Sequence, residues 1–236
     1  MPKKNKLHIS IPSHGGSSGG GANTFAWNFH RYLNRKGITT TKNLIGASHA
    51  IIISNKVNKI SLKIAKAHGC FILHRLDEEF ESGVPLKTKH QQILQINKLA
   101  HVTVFQSNFV KENVLPHLQT KNWEIIINGA DSEIFPYHSK MGPYVGHVTN
   151  SVGGKKRLDI LDDIIIRYPQ EKFLLVGNHK KYFNDFSRHH NVIMEDSVSK
   201  KELSKFHQQM KCLFFPSERD PCPNTVVEAI LSGIPV

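Results

Sequence analysis

Nine short runs of β-branched and apolar residues recur along this chain, most of them followed by segments of helical character, and that alternation restricts the fold more than any other feature. The runs cover residues 7–11, 50–53, 70–73, 102–105, 124–127, 145–148, 173–176, 192–194 and 212–215. Most are continuously apolar rather than alternating, which suits strands covered on both faces. Between them, Phe25, Phe29 and Leu33 recur every four residues, Arg35 and Lys36 close the last turn, and Gly37 stops it. Leu158, Leu161, Ile165 and Tyr168 repeat the pattern and Pro169 ends it. Ser199-Lys200-Lys201-Glu202 is a capping box that opens a helix with Leu203 and Phe206 on one face and Met210 near its end.

Strand–helix–strand alternation of this length predicts α/β architecture: two Rossmann-like, doubly wound parallel sheets. The break between them falls where both periods lapse, near 135–143, a stretch of turn residues that includes Met141-Gly142-Pro143. The expected domains are 1–138 and 139–236.

At 236 residues and 39% hydrophobic, the chain can build such cores. No stretch reaches the ~20 apolar residues of a membrane-spanning helix. The basic Met1-Pro2-Lys3-Lys4-Asn5-Lys6 precedes only a short apolar run, unlike a secretory signal. The expected compartment is the cytoplasm or the cytosolic face of a membrane, where Cys70, Cys212 and Cys222 would be reduced thiols. The net charge of +12 suits phosphorylated ligands or peripheral association with an anionic membrane. Nucleic acid is disfavoured as a partner, since no RNP, helix-turn-helix or zinc pattern is present and aromatics are only 8%. Of the fifteen histidines the closest pair, His189-His190, is adjacent and would diverge on a helix, so no metal site is expected.

Four segments carry candidate chemistry. Gly15-Gly16-Ser17-Ser18-Gly19-Gly20-Gly21-Ala22-Asn23 joins the first strand to the first helix, where glycines admit a ligand to the backbone and the helix N-terminus offers N–H groups to an anion. It completes neither a dinucleotide fingerprint nor a Walker loop. Cys70-Phe71-Ile72-Leu73-His74-Arg75-Leu76-Asp77 ends a strand at the edge where doubly wound sheets place ligands. His74 can exchange a proton with a substrate near neutral pH, while Arg75 and Asp77 can instead pair and hold the loop. Gly153-Gly154-Lys155-Lys156-Arg157 sets cations after small residues, as suits a diphosphate. In the fourth, residues 214–236, a strand leads into Ser217-Glu218-Arg219-Asp220-Pro221-Cys222-Pro223 and then a helix from Asn224. Asn224 and Thr225 offer amides to a phosphate. Glu228, one turn on, is placed to accept hydrogen bonds from ribose hydroxyls. Because Pro221 and Pro223 lack N–H groups, Cys222, Asn224, Thr225 and Val226 are the amides left to supply.

The fourth segment resembles the donor-site signature of retaining GT-B glycosyltransferases of family 4: Pro-Ser, a short gap, Glu-x7-Glu-Ala, then Gly-x-Pro-Val. The spacing is kept, with Asp220 in place of the first Glu and Glu228 as the second. Gly19-Gly20-Gly21-Ala22, His74-Arg75-Leu76-Asp77, Ser107-Asn108-Phe109-Val110-Lys111 and Asn128-Gly129-Ala130-Asp131 are similar to further family segments, in the family's order. The resemblance implies a GT-B enzyme that moves a sugar from a nucleotide-diphosphate sugar to a glycan, lipid-linked or other hydroxyl acceptor with retention, without metal or cofactor. It implies His74 and Asp220 as catalytic, and Gly20, Gly21, Lys156, Asn224, Thr225 and Glu228 as donor-binding. The family's Arg before the Lys is replaced by Asn150-Ser151-Val152, and the family pattern continues beyond Gly233-Ile234-Pro235-Val236, so a second domain lacking its last elements is expected. The alternatives are a nucleotide-binding remnant without activity and a basic nucleic-acid-binding module.

Overall fold

Each of the nine apolar runs contributes a strand. The computed structural model describes residues 6–11, 20–81, 83–182 and 185–236. Two compact units account for them: Gly21–Asn128 with the strand before it, and Gly129–Val236 together with Gly20.

The first unit runs β1 (Leu7–Ile9), α1 (Gly20–Arg35), β2 (Thr40–Thr41), β3 (His49–Ile53), α2 (Lys59–Ala67), β4 (Phe71–Leu76), α3 (Thr88–Asn97), β5 (Val102–Phe105), α4 (Asn108–Val114) and β6 (Trp123–Ile125). Its strands form one sheet in the order β2-β1-β3-β4-β5-β6, every pair parallel. Successive side chains of β3 divide between the faces, as a pleated strand requires. Ala50 and Ile52 pack with Leu62 and Ala65 of α2 and Ile96 of α3. Ile53 packs with Ala26 and Leu33 of α1. Both faces of the sheet are therefore covered, which is why its strands read as unbroken apolar runs. Ser107 caps α4 by accepting from the Val110 amide at 3.2 Å.

The second unit runs β7 (Tyr144–Thr149), α5 (Leu158–Arg167), β8 (Lys172–Gly177), β9 (Val192–Glu195), α6 (Lys200–His207), β10 (Met210–Leu213) and α7 (Asn224–Leu231). Its sheet is again parallel throughout, in the order β10-β7-β8-β9. Leu158, Leu161 and Ile165 of α5 bury against Phe173 and Leu175 of β8 and against Phe186. The capping box is formed: Ser199 accepts from the Glu202 amide and the Glu202 carboxylate accepts from the Ser199 amide. Met210 does not extend that helix but opens β10, because α6 stops at His207. Gly177 ends β8 at φ +122°, where a Cβ would lie 1.9 Å from the Thr149 carbonyl oxygen; only glycine allows the two strand ends to approach so closely. No helix among the described residues is long and apolar enough to cross a membrane.

Candidate functional site

In the second sheet the chain passes from β7 to β8 on one side and returns last to β10 on the other, so the strand order reverses at the β7–β10 pair. Such a switch point opens a crevice at the carboxyl ends of the strands, where α/β sheets bind ligands. The two loops that meet there carry Lys156 and Asp220. After β7, a single 3-10 turn over Gly154–Lys156 leads through Arg157, in the left-handed conformation at φ 48°, into α5. After β10, the chain crosses 214–223 into α7. The loops are stitched together at the Lys155 carbonyl, which accepts from the Glu218 amide at 3.0 Å and the Ser217 hydroxyl at 3.1 Å. Lys156 Nζ then reaches Asp220 Oδ2 at 2.6 Å, 5.5 Å from the Phe215 ring centroid, with both charged groups half-buried. A cation and an acid 64 positions apart are thus held as one polar group.

Helix α7 begins beside them. Pro223 is its N-cap and provides no side-chain cap, so the first turn of the helix carries its positive end without a local acceptor from that residue. Asn224 and Thr225 occupy its first two positions. The Val226 amide, counted from sequence among those facing a ligand, turns inward to the Pro223 carbonyl at 3.1 Å. Glu228 is 1% exposed. Lys200 at the start of α6 donates to its Oε1 at 2.5 Å, and its buried Oε2 has no partner among the described residues. Burial pushes the Glu228 carboxyl above its ordinary range and Lys200 pulls it back in part. Sequence reasoning did not single out Lys200: the capping box located it, but its pairing with Glu228 depends on α6 and α7 meeting.

Where the family resemblance calls for an arginine, Asn150 makes a structural knot. Its Oδ1 accepts from Ser197 Oγ at 2.8 Å, its carbonyl accepts from Asn178 Nδ2 at 2.9 Å, and Ser197 also donates to Asn178 Oδ1 at 3.1 Å. The ends of β7, β8 and β9 are thereby tied together. Beneath them the rings of His147 and His179 share a hydrogen bond, Nδ1 to Nε2, at 2.7 Å. Burial holds His179 down to about 4 and His147 well below its ordinary range, so both are neutral and one donates to the other.

In the first unit, His74 sits on β4, 0% exposed. Its Nε2 bonds the Ser54 carbonyl at 2.8 Å and its Nδ1 meets Asn97 Nδ2 at 3.2 Å. Asn97 also donates to Thr103 Oγ1 at 2.9 Å. Both ring nitrogens are engaged, and burial holds the ring down to about 4, with the Ser54 carbonyl opposing. The neighbouring Arg75 is the larger polar construction. Its Nη2 donates to Gln106 Oε1 at 2.7 Å and Asn128 Oδ1 at 2.6 Å, and its Nη1 to Asp77 Oδ2 at 3.2 Å. Its guanidinium lies 3.8 Å from the Phe25 ring centroid. The pairing of Arg75 with Asp77 read as one option from sequence is formed, and Arg75 joins the ends of β4, β5 and β6. Asp77 Oδ1 is buried without a partner among the described residues, and burial raises its carboxyl despite Arg75. Gly20 opens α1 at φ +79°, followed by Gly21; most of the glycine loop before them, 12–19, lies outside the described residues. No three His, Cys, Asp or Glu side chains are grouped as around a metal ion among the described residues.

No protein-family model matches the chain, and no curated protein matches it in sequence. Solved structures do match. Sucrose-phosphate synthase from Thermosynechococcus elongatus is similar over 99% of this chain and 80% of its own, at 13% identity and a TM-score of 0.72. Anabaena HepE in complex with UDP-glucose is similar over 98% and 79%, at 14% identity and a TM-score of 0.71. TarM of S. aureus, in complex with UDP, α-GlcNAc-glycerol and Fondaparinux, is similar over 91% of this chain and 44% of its own, at 17% identity and a TM-score of 0.62. These neighbours carry the GT-B fold, and this chain has it: an α/β protein of parallel Rossmann-like sheets.

Proposed function

We propose that this GT-B chain is a nucleotide-sugar glycosyltransferase of the retaining type that resembles family 4, and that its second unit holds the donor. The observation that carries the reading is the contact of Lys156 with Asp220 at the switch point, beside the start of α7. Lys156 and the α7 N-terminus at Asn224 and Thr225 supply the positive potential a diphosphate needs, in place of the divalent ion that other transferases use. Glu228 takes the ribose, and Asp220, once Lys156 turns to phosphate, is released toward hydroxyls of the transferred sugar. Gly20 and Gly21, at the start of α1, offer backbone amides to the donor's phosphates. HepE bound to UDP-glucose supports UDP as the first nucleotide to try, and TarM with its bound glycans supports a glycan as acceptor.

For His74 we propose a role through Ser54. With both nitrogens engaged, the ring fixes the turn after β3, where Ser54 adopts φ 51°, and so shapes the sheet edge from beneath.

The test is a thermal-shift panel of UDP-, GDP- and ADP-sugars, since a ligand that binds only the native state raises its apparent stability. One of the three is expected to stabilise the chain, and Lys156→Ala to weaken its binding about 10- to 150-fold, the equivalent of roughly 1.5–3 kcal/mol for a charge-assisted contact. No shift with any of them, or unchanged affinity in the variant, sinks the assignment.

A further inference from the structure

We infer that Lys200 is a positioning residue for the donor nucleotide, holding Glu228 ionised and turned so that its second oxygen is left for the ribose hydroxyls. The inference rests on the donor-site reading of the second unit. Two features of the chain make Lys200 unusual. It sits at the first position of α6, the positive end of a helix, where a cation is electrostatically disfavoured and the capping box already supplies the helix's own carboxylate, Glu202. It is also nearly buried, at 12% side-chain exposure, with its ammonium 6.0 Å from the Phe135 ring centroid. An ordinary surface lysine would extend into water. This one is turned inward onto a single acceptor, Glu228 Oε1.

The consequence falls on Glu228. A carboxylate buried alone would take up a proton. Among the described residues Lys200 is the one charged partner of Glu228, and it occupies one oxygen only. Around the pair stand His207, which burial holds down to about 4 with Lys200 and His138 adding to the effect, and His138 itself; neither brings a negative charge. Ser232 bonds the Glu228 carbonyl, not its carboxylate. Among the described residues Oε2 therefore meets no donor, and a vicinal diol one turn from the phosphate end of α7 would supply one.

The experiment compares the nucleoside diphosphate that binds best among UDP, GDP and ADP with its 2′,3′-dideoxy form, by calorimetry from pH 5.5 to 9. In the native chain the ribose form is expected to bind more tightly by about tenfold or more, as a charge-assisted hydrogen bond gives. In K200M that preference is expected to drop about tenfold at pH 7 and to return as the pH rises and Glu228 ionises unaided; K200R is expected to keep it. A K200M preference equal to that of the native chain, or lowered equally at every pH, overturns the inference and leaves the donor site standing. Binding of none of the three diphosphates overturns both. Should K200M not fold, the uncharged pair K200M/E228Q is expected to fold and to bind both forms alike; a ribose preference surviving in it overturns the inference as well.

Discussion

Acidification should unfold the second unit before the first. Its histidines are buried in the neutral form: His179 and His207 are each held down to about 4 from an ordinary 6.5, and His147 is held well below that range. A group whose folded pKa is depressed leaves the unfolded chain binding the extra proton, so stability is full above pH 6.5 and falls as the pH drops toward 4. At about 1.36 kcal/mol per pK unit, His179 and His207 each remove about 3 kcal/mol by pH 4, together about 6 kcal/mol before His147 is added. That is comparable to the whole stability of a typical domain, about 5–15 kcal/mol. The first unit loses about 3 kcal/mol through His74, with smaller shifts of the same sign at His8 and His90. Glu228 and Asp77, whose carboxyls are raised, work the other way, one in each unit. The assay uses the position of the tryptophans: Trp27 and Trp123 are the only two and both belong to the first unit. During acid titration from pH 7.5, far-UV circular dichroism is expected to lose a first step while tryptophan fluorescence holds, and His207→Phe is expected to move that step to lower pH. A single coincident transition, or unchanged urea stability between pH 7 and 4.5, would refute the reasoning.

Other expectations follow from single contacts. Asp220→Asn removes the partner that competes for Lys156, so nucleotide affinity in calorimetry should rise severalfold while transfer to an acceptor falls; a parallel drop in both would mean that Asp220 only holds the loop. Arg75→Met breaks a buried guanidinium knot and should cost about 3–5 kcal/mol in denaturant unfolding, against less than 1 kcal/mol if the network is dispensable. Gly177→Ala forces a methyl into the Thr149 carbonyl at an unfavourable φ and should cost roughly 2–5 kcal/mol, read as a lowered thermal midpoint. His74→Ala should lower stability with nucleotide affinity unchanged; a large loss of turnover at unchanged stability would instead place the ring on the reacting sugar.

Much of the fold was legible because parallel strands covered on both faces leave continuous apolar runs, and all nine runs correspond to strands. Strand β2, only Thr40–Thr41, is too short to leave a pattern. Helix α3 was hidden for a different reason: its inward stripe is His90, Ile93, Ile96 and Asn97, half of it polar, so apolar periodicity does not reveal it. At the candidate site, Lys156, Asp220, Asn224 and Thr225 could be singled out as candidates because each lies in a loop or first helical turn next to a strand end. Lys200 could not, because its meaning depends on a partner 28 positions away. Nor could the burial of His74, since a strand-end motif does not say which nitrogens the neighbouring strands will claim.

The strand order of the second sheet also dictates when its crevice comes into being. β7, β8 and β9 can pair in the order they are made, each with its predecessor, but β10 must return past both later strands to pair with β7, Met210 against Tyr144. Contacts so distant in sequence form late, because the intervening chain must first be closed into a loop. A nascent or refolding chain would therefore hold a three-stranded sheet with Lys156 in place and no counterpart for it. Affinity for the donor should appear only in the final step, together with full protection of the β7 edge, so that ligand present during refolding would trap the last strand without hastening the earlier ones.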